Sequence, residues 1–153
     1  MDNEALKTWI LALIPEAVSE ENKQYLTLKV PAEKLHDTAK ALKESAETSF
    51  DYLFCMTGVD MQPALMVVYH LQSTKHKHVI VLKTETIDRE NPELDSVTDL
   101  WRGAELHEDE IYDMFGIKFR NHPNLRRMFM PDDWQGYPLR KDYSDAVNII
   151  DLS

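Results

Sequence analysis

Residues 24–46, QYLTLKVPAEKLHDTAKALKESA, set a strand directly against a helix. Leu26, Leu28 and Val30 alternate with Tyr25, Thr27 and Lys29, the period-two pattern of a strand with one buried face. Pro31 comes next. Its fixed φ suits a first helical turn, where its missing N–H would have had no partner anyway. Leu35, Ala39, Leu42 and Ala46 then recur at helical spacing, with Lys34, Lys40, Lys43 and Glu44 on the other side. The helix should run for about four turns. After it, residues 50–57 (FDYLFCMT) are nearly all apolar and predict a central strand covered on both faces. Strand, helix and strand form a crossover unit, right-handed if the two strands are parallel.

Working outward, residues 4–14 place Leu6, Ile10, Leu13 and Ile14 on one helical face, and Pro15 stops that helix. Two further strands are expected over 64–71 and 78–84, with connections short enough to make them antiparallel neighbours. The polar run 88–95 reads as a loop, and Ser96–Asp99 has the form of a capping box opening a short helix through Trp101. A second helix is expected from Glu108 to Phe115, with Gly116 at the position where a helix commonly ends in a left-handed residue.

Composition removes several classes of function. The chain has 153 residues, one domain's worth, with 43% hydrophobic and 29% charged residues. It contains no apolar run long enough for a membrane span and no basic N-terminal region of a secretory signal, so membrane association must pass through a partner. A net charge of −10, from 27 acids and 17 bases, does not suit nucleic-acid phosphates. The lone Cys55 excludes an internal disulfide and any cysteine-built zinc or iron–sulfur site, and it fits a reducing compartment. The four glycines, at 58, 103, 116 and 136, are too scattered for a nucleotide-binding loop.

No catalytic constellation emerges. His107-Glu108-Asp109-Glu110 starts like a zincin helix, but Ile111 stands where the second histidine must be. Cys55 sits between Phe54 and Met56, a setting that hides a thiol and raises its pKa. Residues 117–153 are aperiodic, with prolines at 123, 131 and 138, yet hold Met128, Phe129, Met130, Trp134, Tyr137 and Tyr143. Such a segment must bury its aromatics against its own domain or a partner. Five acids (Glu105, Glu108, Asp109, Glu110, Asp113) precede six bases (Lys118, Arg120, Arg126, Arg127, Arg140, Lys141). An ion-pair network fixing the arm, a bipolar interface with a partner, and an acidic solvated helix beside an unrelated basic loop all account for that composition.

Residues 96–143 resemble the C-subunit family of bacterial NADH:quinone oxidoreductase, respiratory complex I. The resemblance rests on Ser96-Val-Thr-Asp-Leu-Trp101, Tyr112-Asp-Met-Phe-Gly116, His122-Pro-Asn-Leu-Arg-Arg127 and Pro138-Leu-Arg-Lys-Asp-Tyr143. Upstream, Phe50–Leu53, Val59-Asp60 and Val68–Leu71 also fit, so the likeness runs from about Leu26 onward. The chain departs from the family at Asp109, where an arginine is usual, and at Phe129, where an aliphatic residue is usual.

The resemblance implies a non-catalytic structural subunit in the hydrophilic arm of a proton-pumping enzyme. It would carry no cofactor, with flavin and iron–sulfur clusters held by partner subunits. Its partners would be the quinone-site subunit (the D subunit) and the terminal-cluster subunit, at the cytoplasmic face of the cell membrane. His122, Arg126, Arg127, Arg140, Lys141 and Asp142 are then expected to dock a partner, and Glu108, Glu110 and Asp113 to orient the arm or meet partner bases. A membrane-bound hydrogenase or ferredoxin-linked oxidoreductase has an equivalent subunit, and a stand-alone metal-dependent enzyme is the rival from another class. The expected architecture is α+β: a four-stranded, largely antiparallel sheet with packed helices over residues 1–116, then an extended arm over 117–153.

Overall fold

In the computed structural model, which describes residues 2–148, the alternating stretch forms strand β2 (Leu26–Lys29) and the following periodic stretch forms helix α2 (Ala32–Glu44). Met1 and the last five residues of the expected arm, 149–153, lie outside the described residues. Helix α1 (Asn3–Leu13) begins where the Asp2 carboxylate accepts the Ala5 amide at 2.8 Å, satisfying one of the orphan donors of a helix start. Its Leu6 and Ile10 are fully buried, as are Leu35 and Leu42 of α2 to within 1%.

The sheet has five strands, in the order β1 (Val18–Glu20), β2, β5 (Val79–Thr86), β4 (Leu65–Gln72), β3 (Tyr52–Asp60). Only β2 and β5 pair in parallel, with Leu28 opposite Leu82, and the other three pairings are antiparallel. The fifth strand, β1, is three residues long, too short to show a period in sequence. The largely antiparallel α+β class stands, with one more strand than expected.

Strand β3 is not central. It closes the sheet at one edge, and a β-bulge at Phe54 breaks its register between Leu53 and Cys55. Its apolar content has two other causes. Leu53 and Met56 face the core, and helix α3 (Ala104–Phe115) lies against Gly58. A Cβ at Gly58 would come within 2.6 Å of the Phe115 ring, so only glycine permits that approach. Cys55 is consequently half-buried, not hidden.

Two local expectations also fail. The polar run 88–95 contains strand β6 (Glu93–Asp95), which pairs in parallel with β7 (Lys118–Arg120) through Leu94 opposite Phe119. A single buried leucine carries that strand, and one apolar residue has no period. Residues 96–101 make a turn, not a helix, with the Val97 carbonyl accepting from Leu100 and Trp101. Ser96 gives its hydroxyl proton to Glu108, so the residues of the expected box serve tertiary contacts. Helix α3 starts at Ala104, four residues earlier than expected, and ends at Gly116 in the left-handed conformation (φ 78°).

Candidate partner-docking surface

After β7 the chain runs to Asn148 with little regular structure, only a single 3-10 turn at Asp145–Val147. Four carboxylates, three from the acidic helix and one from the end of β3, hold this segment. Asp113, fully buried, does most. Its Oδ1 accepts from Arg127 at 2.9 Å, while Oδ2 accepts the amides of Met128, Phe129 and Met130 at 3.2, 2.7 and 3.0 Å. Three successive N–H groups converging on one oxygen form an anion cradle, here filled from within the chain. Burial pushes the Asp113 carboxyl upward, but those amides and the Arg127 guanidinium outweigh it and leave it below the ordinary carboxylate value.

Arg127 completes the turn. Its Nη2 donates to the carbonyls of Trp134 and Gly136, both at 2.9 Å. The guanidinium carbons of Arg127 and Arg140 lie 5.0 and 5.1 Å from the Tyr137 ring centroid, within cation–π range. Arg140 donates through Nε to the Phe115 carbonyl and through Nη1 to that of Arg89, closing the arm over the end of α3.

A second fastening sits at the end of β3. Asp60, whose side chain is 1% exposed, takes both Nη1 and Nη2 of Arg89 at 2.8 Å and the Lys141 amide at 2.9 Å. Arg89 also reaches Asp142 at 3.3 Å. The Arg89 guanidinium holds the Asp60 carboxyl far below its ordinary value, and Asp60 correspondingly raises Arg89. Sequence reasoning missed this pair as a site. Asp60 is 81 positions from Lys141, and no local pattern links them.

The third fastening is at the start of the arm. His122 has no exposed side-chain surface. Its Nδ1 accepts the Asn124 amide at 3.0 Å, so Nε2 carries the proton and reaches the Glu105 carbonyl at 3.0 Å. Asp109 Oδ1 and Glu108 Oε2 lie 3.5 and 4.0 Å from the same nitrogen. Asp109, the departure from the family's arginine, also accepts the Arg126 amide at 3.2 Å. Glu108 is fully buried and takes the Ser96 hydroxyl at 2.7 Å and the Val97 amide at 2.8 Å. Burial lifts its pKa to about 7, against the downward pull of the Val97 amide and the Ser96 hydroxyl.

The nine residues singled out in sequence thus divide. Glu108, Asp113, His122, Arg127 and Arg140 make their contacts within the chain. Glu110, Arg126, Lys141 and Asp142 have side chains exposed at the surface, with Asp142 also paired to Arg89 and the Arg126 and Lys141 amides held by Asp109 and Asp60. What the cradle presents outward is apolar: Met128 is 43% and Phe129 63% exposed. Among the described residues, no group of three histidine, cysteine or carboxylate side chains is placed to hold a metal ion, and no helix is long and apolar enough to cross a membrane.

The family model for the respiratory-chain NADH dehydrogenase 30 kDa subunit matches residues 28–147. The chain belongs to this family. It is 48% identical over 127 residues to the fused C/D subunit of the Phocaeicola vulgatus NADH-quinone oxidoreductase, covering 82% of this chain but only 24% of that longer protein. It is 42% identical over 147 residues to the C subunit of the Roseiflexus castenholzii NADH-quinone oxidoreductase, covering 93% of this chain and 84% of the relative. Among solved structures it matches a chain of the membrane-bound sulfane sulfur reductase, an archaeal respiratory membrane complex. That match has a TM-score of 0.74 at 26% identity and covers 98% of this chain and 94% of the other. The family therefore embraces free C subunits and C/D fusions, and its fold also occurs in another respiratory membrane complex.

Proposed function

We propose that this chain is a docking subunit in the hydrophilic arm of a proton-pumping NADH:quinone oxidoreductase, carrying neither a redox group nor a reacting side chain of its own. Flavin and clusters belong to partner subunits, and the chain attaches to the cytoplasmic face of the membrane through those partners. The segment that follows β7 is its partner-binding arm. The observation that carries this reading is the cradle at Asp113, which spends a buried carboxylate on a turn whose product is two large exposed apolar side chains. Isolated exposed hydrophobics are ordinary, but a rigidly held pair flanked by charged groups is the form of an interface anchor. Met128 and Phe129 form the apolar centre, and exposed Arg126, Lys141 and Asp142 supply the charges around it. Glu108, Asp113, His122, Arg127 and Arg140 act by shaping the arm.

The partner is a subunit of the D type, because in the Phocaeicola vulgatus relative C and D form one polypeptide, which keeps them adjacent. The terminal-cluster subunit is the second neighbour. The test is a Met128→Glu, Phe129→Glu double variant expressed in place of the native chain. Both side chains are exposed, so neither substitution opens a cavity in the core. Recovery of the chain with its membrane complex should fall at least tenfold, and undiminished recovery overturns the reading. A second reading, the equivalent subunit of a different respiratory machine, draws on the match to the sulfane sulfur reductase complex. The electron-input subunits recovered beside the chain separate the two.

A further inference from the structure

The outer edge of β3 carries no strand beside it among the described residues. An edge strand presents a row of unpaired N–H and C=O groups, which proteins usually blunt with lysine, proline or a covering element. Residues 52–60, YLFCMTGVD, contain neither lysine nor proline, and the bulge at Phe54 leaves the stretch from Cys55 to Asp60 in regular register. Alongside this edge runs a cleft of about 240 Å³. One wall is four consecutive strand residues, Cys55 to Gly58. The other is the α3 stripe His107, Ile111 and Met114, whose spacing of four and three puts them on one helical face. Leu139, 55% exposed, closes one end where the arm crosses from α3 toward Asp60. Exposed Glu110 stands on the rim.

A free strand edge set beside a helix face is the geometry that accepts an added strand. Main-chain hydrogen bonds supply affinity there, and pockets for alternate side chains supply selectivity. We propose that this groove receives an extended segment of a neighbouring subunit in the same assembly, pairing with β3. The segment is apolar at alternate positions, to fill the space among Ile111, Met114 and Leu139, and carries a lysine or arginine opposite Glu110. A second copy of this chain fits poorly, because pairing two β3 edges would bring two acidic α3 helices together on molecules of net charge −10 each. This surface is separate from the Met128–Phe129 anchor, but it rests on the proposed membership of a multi-subunit assembly.

Hydrogen exchange compares the isolated chain with the chain in the assembly purified from its native membranes. The outward amides of residues 55–59 should be protected at least tenfold more in the assembly. Cys55 should react correspondingly more slowly with N-ethylmaleimide. A Thr57→Lys variant, exposed on β3 and outside the arm, should lose that protection while the chain stays in the assembly. An assembled chain whose β3 amides and Cys55 behave as in isolation overturns the groove and leaves the arm reading standing. A chain found outside any assembly overturns both. Protection that appears in the isolated chain as its concentration rises assigns the edge to self-pairing and overturns the proposal.

Discussion

Asp113→Asn keeps the shape of the carboxylate and removes its charge. In the native arm the side chains of Asp113 and Arg127 are 0% and 9% exposed and 2.9 Å apart, and three backbone amides converge on the other oxygen. The amide's NH₂ must face either the Arg127 guanidinium or the three N–H donors, and both are donors. Breaking one side of a buried pair costs ~3–5 kcal/mol. That free energy can be lost by local opening of the arm, because the cradle lies outside the main sheet. At about 1.36 kcal/mol per factor of ten, exchange protection of the Met128, Phe129 and Met130 amides should fall by about two to three and a half orders of magnitude. Amides of the central strands, such as that of Tyr69, should change far less. Glu110→Gln on the exposed face of the same helix is the control, expected within ~0.5 kcal/mol of native. If Asp113→Asn leaves residues 128–130 protected within about threefold of native, the cradle does not hold the arm.

Stability should fall as pH rises across the neutral range. Glu108 is raised in the fold from its ordinary value of 4.5 to about 7, so its contribution is complete below about pH 4.5 and lost as pH climbs through 7. The loss is about 3 kcal/mol. Denaturation midpoints measured from about pH 4.5 to 8 should show it, and Glu108→Gln should flatten the slope. Asp60 and Asp113 are lowered, so their contribution holds above about pH 4 and is lost on further acidification. Arg89→Met leaves Asp60 buried without its partner and should cost ~3–5 kcal/mol, read as faster exchange of the Lys141 amide. Gly116→Ala places a Cβ 2.5 Å from the Tyr137 ring at φ 78°. Overpacking of that kind costs ~1–3 kcal/mol, measurable by urea denaturation.

How much was legible in sequence followed from how local each signal is. α2 and β4 show in their own periodicity because each buries one face over eight residues or more. β1 and β6 are three residues long and hold one buried side chain or none, so they exist only through their pairing partners. The edge position of β3 was illegible for a different reason. An edge strand with a helix packed against it has the same apolar composition as one flanked by strands on both sides. In the site, the opposite charges of α3 and the arm were visible. Which of them cancel inside the chain was not, because Asp113 meets residues 14 to 17 positions away and Asp60 meets one 81 away. The family motifs supplied what local patterns could not, the family to which the chain belongs.

The most direct test of the docking role is mild-detergent purification of a tagged chain from its native membranes, with quantitative mass spectrometry of what accompanies it. The expected result is stoichiometric recovery of a D-type quinone-site subunit and of the subunit holding the terminal cluster. Recovery of the native chain alone, in the soluble fraction, would contradict it.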